Sequence, residues 1–406
     1  MRLSLFGYGI TTKAIAAHHG PLDFYDDKVN KPFKDEHNNK LHPSHEFDEK
    51  YSDIEVPSPG IPPEHPLIQS AQNLMSEYDL FLGQSAPLVL EKKPFNVWIS
   101  GTNGKTTTTQ MLQHLLQEKG SLAGGNIGTP LADLDPKAPI WILETSSFTL
   151  HYTNEAAPNI YLLLPIAPDH LSWHGDFKAY ADAKLKPLKS MLEGEVAIIP
   201  EAFKEVKSDA MIITYKDGED LAQKLNIDIT KIDFKGAFLL DAVMAMAVEK
   251  ILYDVADYKK MNNFILDAHR QEELFDQQQR LWVNDTKATN IDATLAALER
   301  YKEKTLHLIL GGDDKGVDLE PLFEKLESYD LHIYTLGTNE QKLNDLCLKH
   351  QITYTSSSTI EQAVLDIDKN HTLQSVALLS PAASSLDQFP SYAVRGERFK
   401  SAVLEL

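Results

Sequence analysis

Apolar runs separated by polar, glycine-bearing turns recur along the chain, and stretches with apolar residues three and four apart lie between them. Phe95-Asn96-Val97-Trp98-Ile99-Ser100, Ile140-Trp141-Ile142-Leu143, Ile160-Tyr161-Leu162-Leu163-Leu164, Val196-Ala197-Ile198-Ile199 and Met211-Ile212-Ile213 are nearly continuous apolar runs. Such runs read as parallel strands covered on both faces. A second series follows in Leu281-Trp282-Val283, Leu306 to Leu310, Ile333 to Leu336 and Val376 to Leu379. Helical spacing falls near 290–301, 318–327, 340–349, 360–369 and 391–404, and a very apolar helix runs from Phe238 to Leu252. At the start, Leu3–Phe6, Leu22–Tyr25 and Asp53–Val56 read as short strands, with a helix through Ala14, Ile15 and Ala17. Strands alternating with helices predict an α/β fold of three units in series, at 1–90, 91–268 and 269–406. In such units, functional groups gather at the carboxyl ends of the strands.

The second unit opens on its most informative stretch, Gly101-Thr102-Asn103-Gly104-Lys105-Thr106-Thr107. A strand precedes it, and a helix through Met111, Leu112, Leu115 and Leu116 follows. Strand, glycine loop, lysine and helix N-terminus make a phosphate cradle. Backbone N–H groups reach the anion, the helix dipole favours it, and the lysine adds a full charge. The next hydroxyl is placed for Mg²⁺. Ile99 stands where the longer P-loop has its first glycine, so the loop is a shortened relative.

Other polar groups sit at strand ends. Glu144 follows Ile140–Leu143 and is placed to meet Mg²⁺ directly or through water. His170 lies in the loop after Leu164, where it could ligate a metal or orient a substrate, or be a plain surface histidine. Asn284-Asp285-Thr286-Lys287-Ala288-Thr289-Asn290, Gly311-Gly312-Asp313-Asp314-Lys315-Gly316 and Ser380-Pro381-Ala382-Ala383-Ser384-Ser385 follow three strands and read as one rim of a cleft. Lys184, with Lys186 and Lys189 nearby, reads by pattern as a solvated lysine on an amphipathic helix. Gly7-Tyr8-Gly9 with Asp26-Asp27 beyond the second strand has a dinucleotide-fold layout, but Thr12 replaces the third glycine.

The charge balance narrows the partners. The net charge of −20 disfavours nucleic acid and anionic lipid, although a local cationic loop can still hold a nucleotide. The single cysteine, Cys347, allows no internal disulfide and reads as a core thiol. No apolar stretch approaches bilayer length, and the start is too short in its apolar part for a signal peptide. A cytoplasmic, monomeric enzyme is expected.

These stretches, together with Gly125-Asn126-Ile127-Gly128, Glu144-Thr145-Ser146-Ser147-Phe148, Asp169-His170-Leu171 and Ser385-Leu386-Asp387-Gln388-Phe389, resemble the Mur ligases in family order over nearly the whole chain. The phosphate loop is shared with folylpolyglutamate synthases. The late motifs resemble the D-glutamate-adding members. The resemblance implies a Rossmann-like uridine-nucleotide domain, a P-loop ATPase-like central domain and a Rossmann-like amino-acid domain. It implies an ATP-dependent amide ligase joining D-glutamate to UDP-N-acetylmuramoyl-L-alanine through an acyl phosphate.

The resemblance also implies roles for particular residues. ATP would be held by Gly101, Thr102, Asn103, Gly104, Lys105, Thr106, Thr107, Arg270 and Asp285, with Lys105, His170 and Lys184 catalytic. Two Mg²⁺ ions would sit at Thr106, Glu144, His170 and Lys184, the last as a lysine carbamate, which reverses the solvated reading. Ile10, Thr11, Asp26, Asp27 and Asn126 would hold the sugar nucleotide, and Thr289, Lys315, Ser385 and Tyr392 the D-glutamate. The chain departs from the family pattern in three places. Ala237-Phe238-Leu239-Leu240-Asp241 replaces a His-Asn-x-x-Asn run, Ala383 replaces a cysteine, and Tyr392 stands for phenylalanine. A folylpolyglutamate synthase-like ligase is the nearest alternative. A dinucleotide-dependent oxidoreductase would leave Lys105 and Glu144 without a role.

Overall fold

The computed structural model describes residues 1–86 and 93–406. Three parallel-rich sheets, each with helices between its strands, establish the α/β class. The first contains β1 (Leu3–Phe6), β2 (Asp23–Asp26), β3 (Phe33–Lys34), β4 (Lys40–Pro43) and β5 (Ile54–Pro57), in the order β3-β4-β2-β1-β5. The second contains β6 (Phe95–Ser100), β7 (Ser121–Gly125), β8 (Ile140–Glu144), β9 (Ile160–Leu163), β10 (Val196–Pro200) and β11 (Met211–Tyr215). Its order is β11-β10-β9-β6-β8-β7, and every pairing in it is parallel. The third contains β12 (Glu272–Phe275), β13 (Leu281–Asn284), β14 (Thr305–Gly311), β15 (Leu331–Leu336), β16 (Tyr354–Ser358) and β17 (Ser375–Leu379). Its order is β12-β13-β17-β14-β15-β16, with β12 antiparallel to β13.

The continuous apolar runs became inner strands, except Met211-Ile212-Ile213, which forms the edge strand β11 with Met211 exposed. Val97, Trp98, Ile99, Ile142, Leu143, Leu162, Leu163 and Ile198 are each at most 1% exposed, as strands covered on both faces require. Sequence reading passes over β3, β4, β7, β12 and β16, which lie at or next to sheet edges. An edge strand buries less, so Ser121-Leu122-Ala123-Gly124-Gly125 and Tyr354-Thr355-Ser356-Ser357-Ser358 carry no apolar run to detect. Cys347 is fully buried, as expected of a core thiol.

The chain divides into two compact units, Met1–Phe234 with Phe238–Phe264, and Lys235–Ala237 with Ile265–Leu406. The first unit holds two sheets over a shared apolar core, including Phe24, Leu80, Trp98, Leu143 and Leu163. The boundary expected between residues 90 and 91 lies outside the described residues. Among the described residues, no helix is long and apolar enough to cross a membrane.

Candidate functional site

The strand β6 ends at Ser100, and the chain turns through the glycine loop into the helix Lys105–Leu116. Gly104 caps that helix at φ +83°, in the left-handed region. A Cβ at this position would also stand 2.3 Å from Asp241 Oδ1 and would force that carboxylate to shift. Asp241 accepts a hydrogen bond from Thr108 Oγ1 at 3.1 Å and thereby braces the first turns of the helix. Thr102 fixes the other side of the loop. Its backbone N–H donates to Pro165 O at 3.0 Å, and its hydroxyl donates to Ala167 O at 3.0 Å.

Two lysines converge on one carbonyl. Lys105 Nζ donates to Gly101 O at 3.0 Å and to Thr102 O at 2.7 Å. Lys184 Nζ, from the helix Phe177–Leu185, donates to the same Gly101 O at 2.8 Å and lies 4.7 Å from the centre of the Tyr180 ring. Lys184 is 1% exposed, which corrects the reading of a solvated lysine. Its helix turns this face against β6 and β9, where Tyr161 OH donates to Lys184 O at 2.6 Å. Burial drives the Lys184 amine well below its ordinary pKa, and the nearby charge of Lys105 adds to the effect. Both effects disfavour the charged form of Lys184.

Glu144, the last residue of β8, is 3% exposed. Its Oε1 accepts from Asn126 Nδ2 at 2.8 Å, while its Oε2 is buried without a hydrogen-bond partner, as is Thr107 Oγ1. A buried oxygen left unpaired costs free energy, and an oxygen-seeking cation would remove that cost. Thr106 is half-buried in the same turn. His170 caps a short helix at φ +53°, its ring 4.7 Å from that of Phe148 and its Nε2 3.6 Å from Asp169 Oδ2. The hydroxyls of Thr106 and Thr107 and the Glu144 carboxylate are oxygen donors of the kind magnesium takes, whereas among the described residues no three His, Cys, Asp or Glu side chains cluster as a metal site.

The first sheet reverses its strand order at β1, with β2 on one side and β5 on the other, so the ligand crevice of such a fold lies at their carboxyl ends. Thr12 explains the missing third glycine. Its hydroxyl donates to Gly7 O at 2.7 Å and accepts from Gly9 N at 3.1 Å, tying the turn together. Asp26 accepts from the backbone N–H groups of Tyr8 and Lys28 at 2.7 and 2.8 Å, and Asp27 pairs with His65 Nε2 at 2.8 Å. Ile10 is exposed and Thr11 half-buried at the start of the helix Ile10–His19.

In the second unit, β13, β17 and β14 are adjacent and parallel, so the three polar loops do form one rim. Asp285 is buried there. Its Oδ2 accepts from Ser380 Oγ at 2.8 Å and its Oδ1 from Gln271 N at 3.2 Å, yet burial lifts its carboxyl to about 7. Arg270, half-buried beside it, opposes that shift with its charge. Asp313 and Ser384 pair through backbone hydrogen bonds of 2.9 Å, joining two of the loops. Thr289 and Lys315 are exposed on the rim and Ser385 is buried. The Tyr392 ring is capped by Lys287 Nζ at 3.8 Å. Sequence reading does not mark Asp241 or Arg395 as site residues, since both sit in unremarkable helical patterns; Lys287 belongs to a strand-end motif already noted, and only its place over the Tyr392 ring is new. A shared signal for Asp241 and Arg395 is polarity at a position the helix buries.

A glycine cradle, converging lysines and a carboxylate at the end of a neighbouring strand mark a nucleotide-dependent α/β protein, and residues 99–239 match the Mur ligase middle domain. The chain is 53% identical over 407 residues to a UDP-N-acetylmuramoylalanine--D-glutamate ligase of Campylobacter jejuni, covering 99% of each chain. It is 44% identical over 424 residues to the enzyme of the same name from Helicobacter pylori, covering 100% of each. The fold is similar to that of the MurF ligase from Thermotoga maritima solved with ADP, at 17% identity and a TM-score of 0.58 over 95% of this chain and 94% of that one. The chain belongs to the UDP-N-acetylmuramoylalanine--D-glutamate ligase family.

Proposed function

We infer that this protein is an ATP-dependent ligase of peptidoglycan precursor synthesis that joins D-glutamate to UDP-N-acetylmuramoyl-L-alanine through an acyl phosphate. The relatives' names over the full chain support the substrates. The observation that carries the chemistry is the convergence of Lys105 and Lys184 on Gly101 O near Glu144. Residues 1–90 would take the sugar nucleotide, 91–268 the ATP and 269–406 the amino acid.

The acceptor carboxylate must attack the γ-phosphate, and both are anions. One pair of unit charges at ~4 Å repels by about 4 kcal/mol at an effective dielectric near 20. The loop residues 101–107 supply backbone N–H groups, and Lys105 swings its charge from Gly101 O to the phosphates, offsetting the repulsion and stabilising the transition state. Bound magnesium would add Lewis-acid neutralisation there, held by Thr106 and Glu144, with a second ion at His170 and a carbamate of Lys184. In its uncharged form, which burial favours, the Lys184 amine can add to carbon dioxide and release one proton, becoming an anionic ligand. Ile10, Thr11, Asp26, Asp27 and Asn126 would hold the sugar nucleotide, and Arg270 with Asp285 would contact ATP. Thr289, Lys315, Ser385 and Tyr392 would orient D-glutamate so that its amine meets the acyl phosphate.

Phosphate release with ATP and UDP-N-acetylmuramoyl-L-alanine, compared for D-glutamate, L-glutamate and L-lysine, tests this reading. The expected result is turnover with D-glutamate alone. No release with any amino acid overturns it.

A further inference from the structure

Arg395 lies in the first turn of the helix Tyr392–Leu404 and is 1% exposed, a cation removed from water. Its guanidinium spreads over three segments. Nε donates to Thr286 Oγ1 at 2.8 Å, and Nη2 donates to Thr286 O and to Ala383 O, both at 3.0 Å. Nη1 donates more weakly to Gly311 O at 3.4 Å. Thr286 follows β13, Ala383 follows β17 and Gly311 ends β14, the three adjacent strands whose loops form the rim. Thr286 Oγ1 donates onward to Tyr392 O at 3.2 Å, so the network closes on the start of the arginine's own helix.

All of these acceptors are neutral. A buried cation without a carboxylate in contact is costly and persists only where its hydrogen bonds are well satisfied. Asp387 is the acid that acts on it through space, and its side chain is engaged with the Thr338 N–H at 2.9 Å. Burial draws the guanidinium down only to about 10, so it stays charged at neutral pH. The planar fork can bridge several carbonyls at fixed angles, whereas the single ammonium of a lysine cannot. The arrangement therefore fixes the loop spacing and leaves positive charge beneath the rim.

We propose that Arg395 is a positioning residue for the amino-acid pocket, holding the loops that carry Thr289, Lys315 and Ser385 in register with Tyr392 for a dicarboxylate amino acid. This rests on the reading that the rim takes D-glutamate. The test is steady-state kinetics on the full-length protein, with Arg395→Lys and Arg395→Met beside wild type. The KM for D-glutamate should rise at least ten-fold in both, and more in Arg395→Met. kcat at saturating D-glutamate should fall by less, and the KM for UDP-N-acetylmuramoyl-L-alanine should stay within two-fold. Thr286→Val, which removes the Nε acceptor without changing side-chain volume much, should raise the D-glutamate KM about three-fold and serves if Arg395→Met does not fold. A fall in kcat with an unchanged D-glutamate KM overturns the proposal, as does complete rescue by Arg395→Lys. Wild-type protein inert toward D-glutamate overturns instead the reading on which it rests.

Discussion

Around Gly101, two lysine amines point at one carbonyl, and the groups that hold them come from a contiguous loop and one later helix. Around Thr286, a single cation is spread over four neutral acceptors on three loops that lie far apart in the chain. At the first place charge is crowded: burial works against the charged form of Lys184, and Glu144 keeps an unpaired oxygen. At the second, charge is satisfied, and the guanidinium works as a brace. Crowded charge is chemical potential waiting for a ligand. Satisfied charge is structure. The same residue class is thus crowded in one unit and fully satisfied in the other.

The widest gap should appear on removing the phosphate-loop cation. Lys105→Ala should cut D-glutamate-dependent phosphate release by roughly 10²–10³-fold or more, with the circular dichroism spectrum unchanged. Near-normal turnover would end the view that this lysine offsets the repulsion of two anions. Lys184→Met sharpens the contrast, because its two readouts should move in opposite directions. Activity should be lost and not return in high bicarbonate, while the melting temperature should rise, by about 2–4 °C per kcal/mol gained, once a buried amine gives way to an apolar side chain. Normal activity in this variant would remove the carbamate from the mechanism.

Asp285 probes the rim through pH. Its carboxyl rises from 3.8 to about 7 on burial, so the folded state holds a proton that the unfolded chain releases. That contribution is complete below pH 4 and is lost as pH climbs through about 7. The melting temperature of Asp285→Asn should accordingly decline less than wild type between those limits, and parallel curves would show that the group does not titrate so.

The smallest effect belongs to the amino ends of β13 and β17, opposite the rim. His371 is buried between Ser375 Oγ at 2.7 Å and Leu281 O at 3.1 Å, with His307 5.5 Å away ring to ring. Burial, then His307 and Arg280, lowers its pKa from 6.5 to about 4. Its contribution is present above pH 6.5 and is lost as pH falls toward 4. His371→Gln, which keeps both hydrogen-bonding capacities, should flatten the acid side of the thermal stability curve; an unchanged acid limb would assign that limb to other groups.

Much of the phosphate site was legible because its signal is local. Strand, glycine turn, lysine and helix follow one another within about two dozen residues, and each obeys a backbone rule that sequence alone expresses. Glu144 was found at the end of an apolar run for the same reason. Lys184 was not legible by pattern. A lysine on a short helix looks solvated until the sheet it packs on is known, and only resemblance to a family pointed elsewhere. Asp241 and Arg395 carried only a weak signal, polarity at a position their helices bury.

The sequence by itself determined the α/β alternation, the central strands, the phosphate loop and the three strand-end motifs, because backbone periodicity and turn chemistry depend on near neighbours. The tertiary structure alone decided which edge strands joined the sheets, which lysine lost its solvent and which arginine braced the rim. Those outcomes follow from burial and from hydrogen bonds between residues as many as 109 positions apart. Desolvation, the force that turns an ordinary side chain into a reactive or organising one, is a property of surroundings that no single stretch of chain contains.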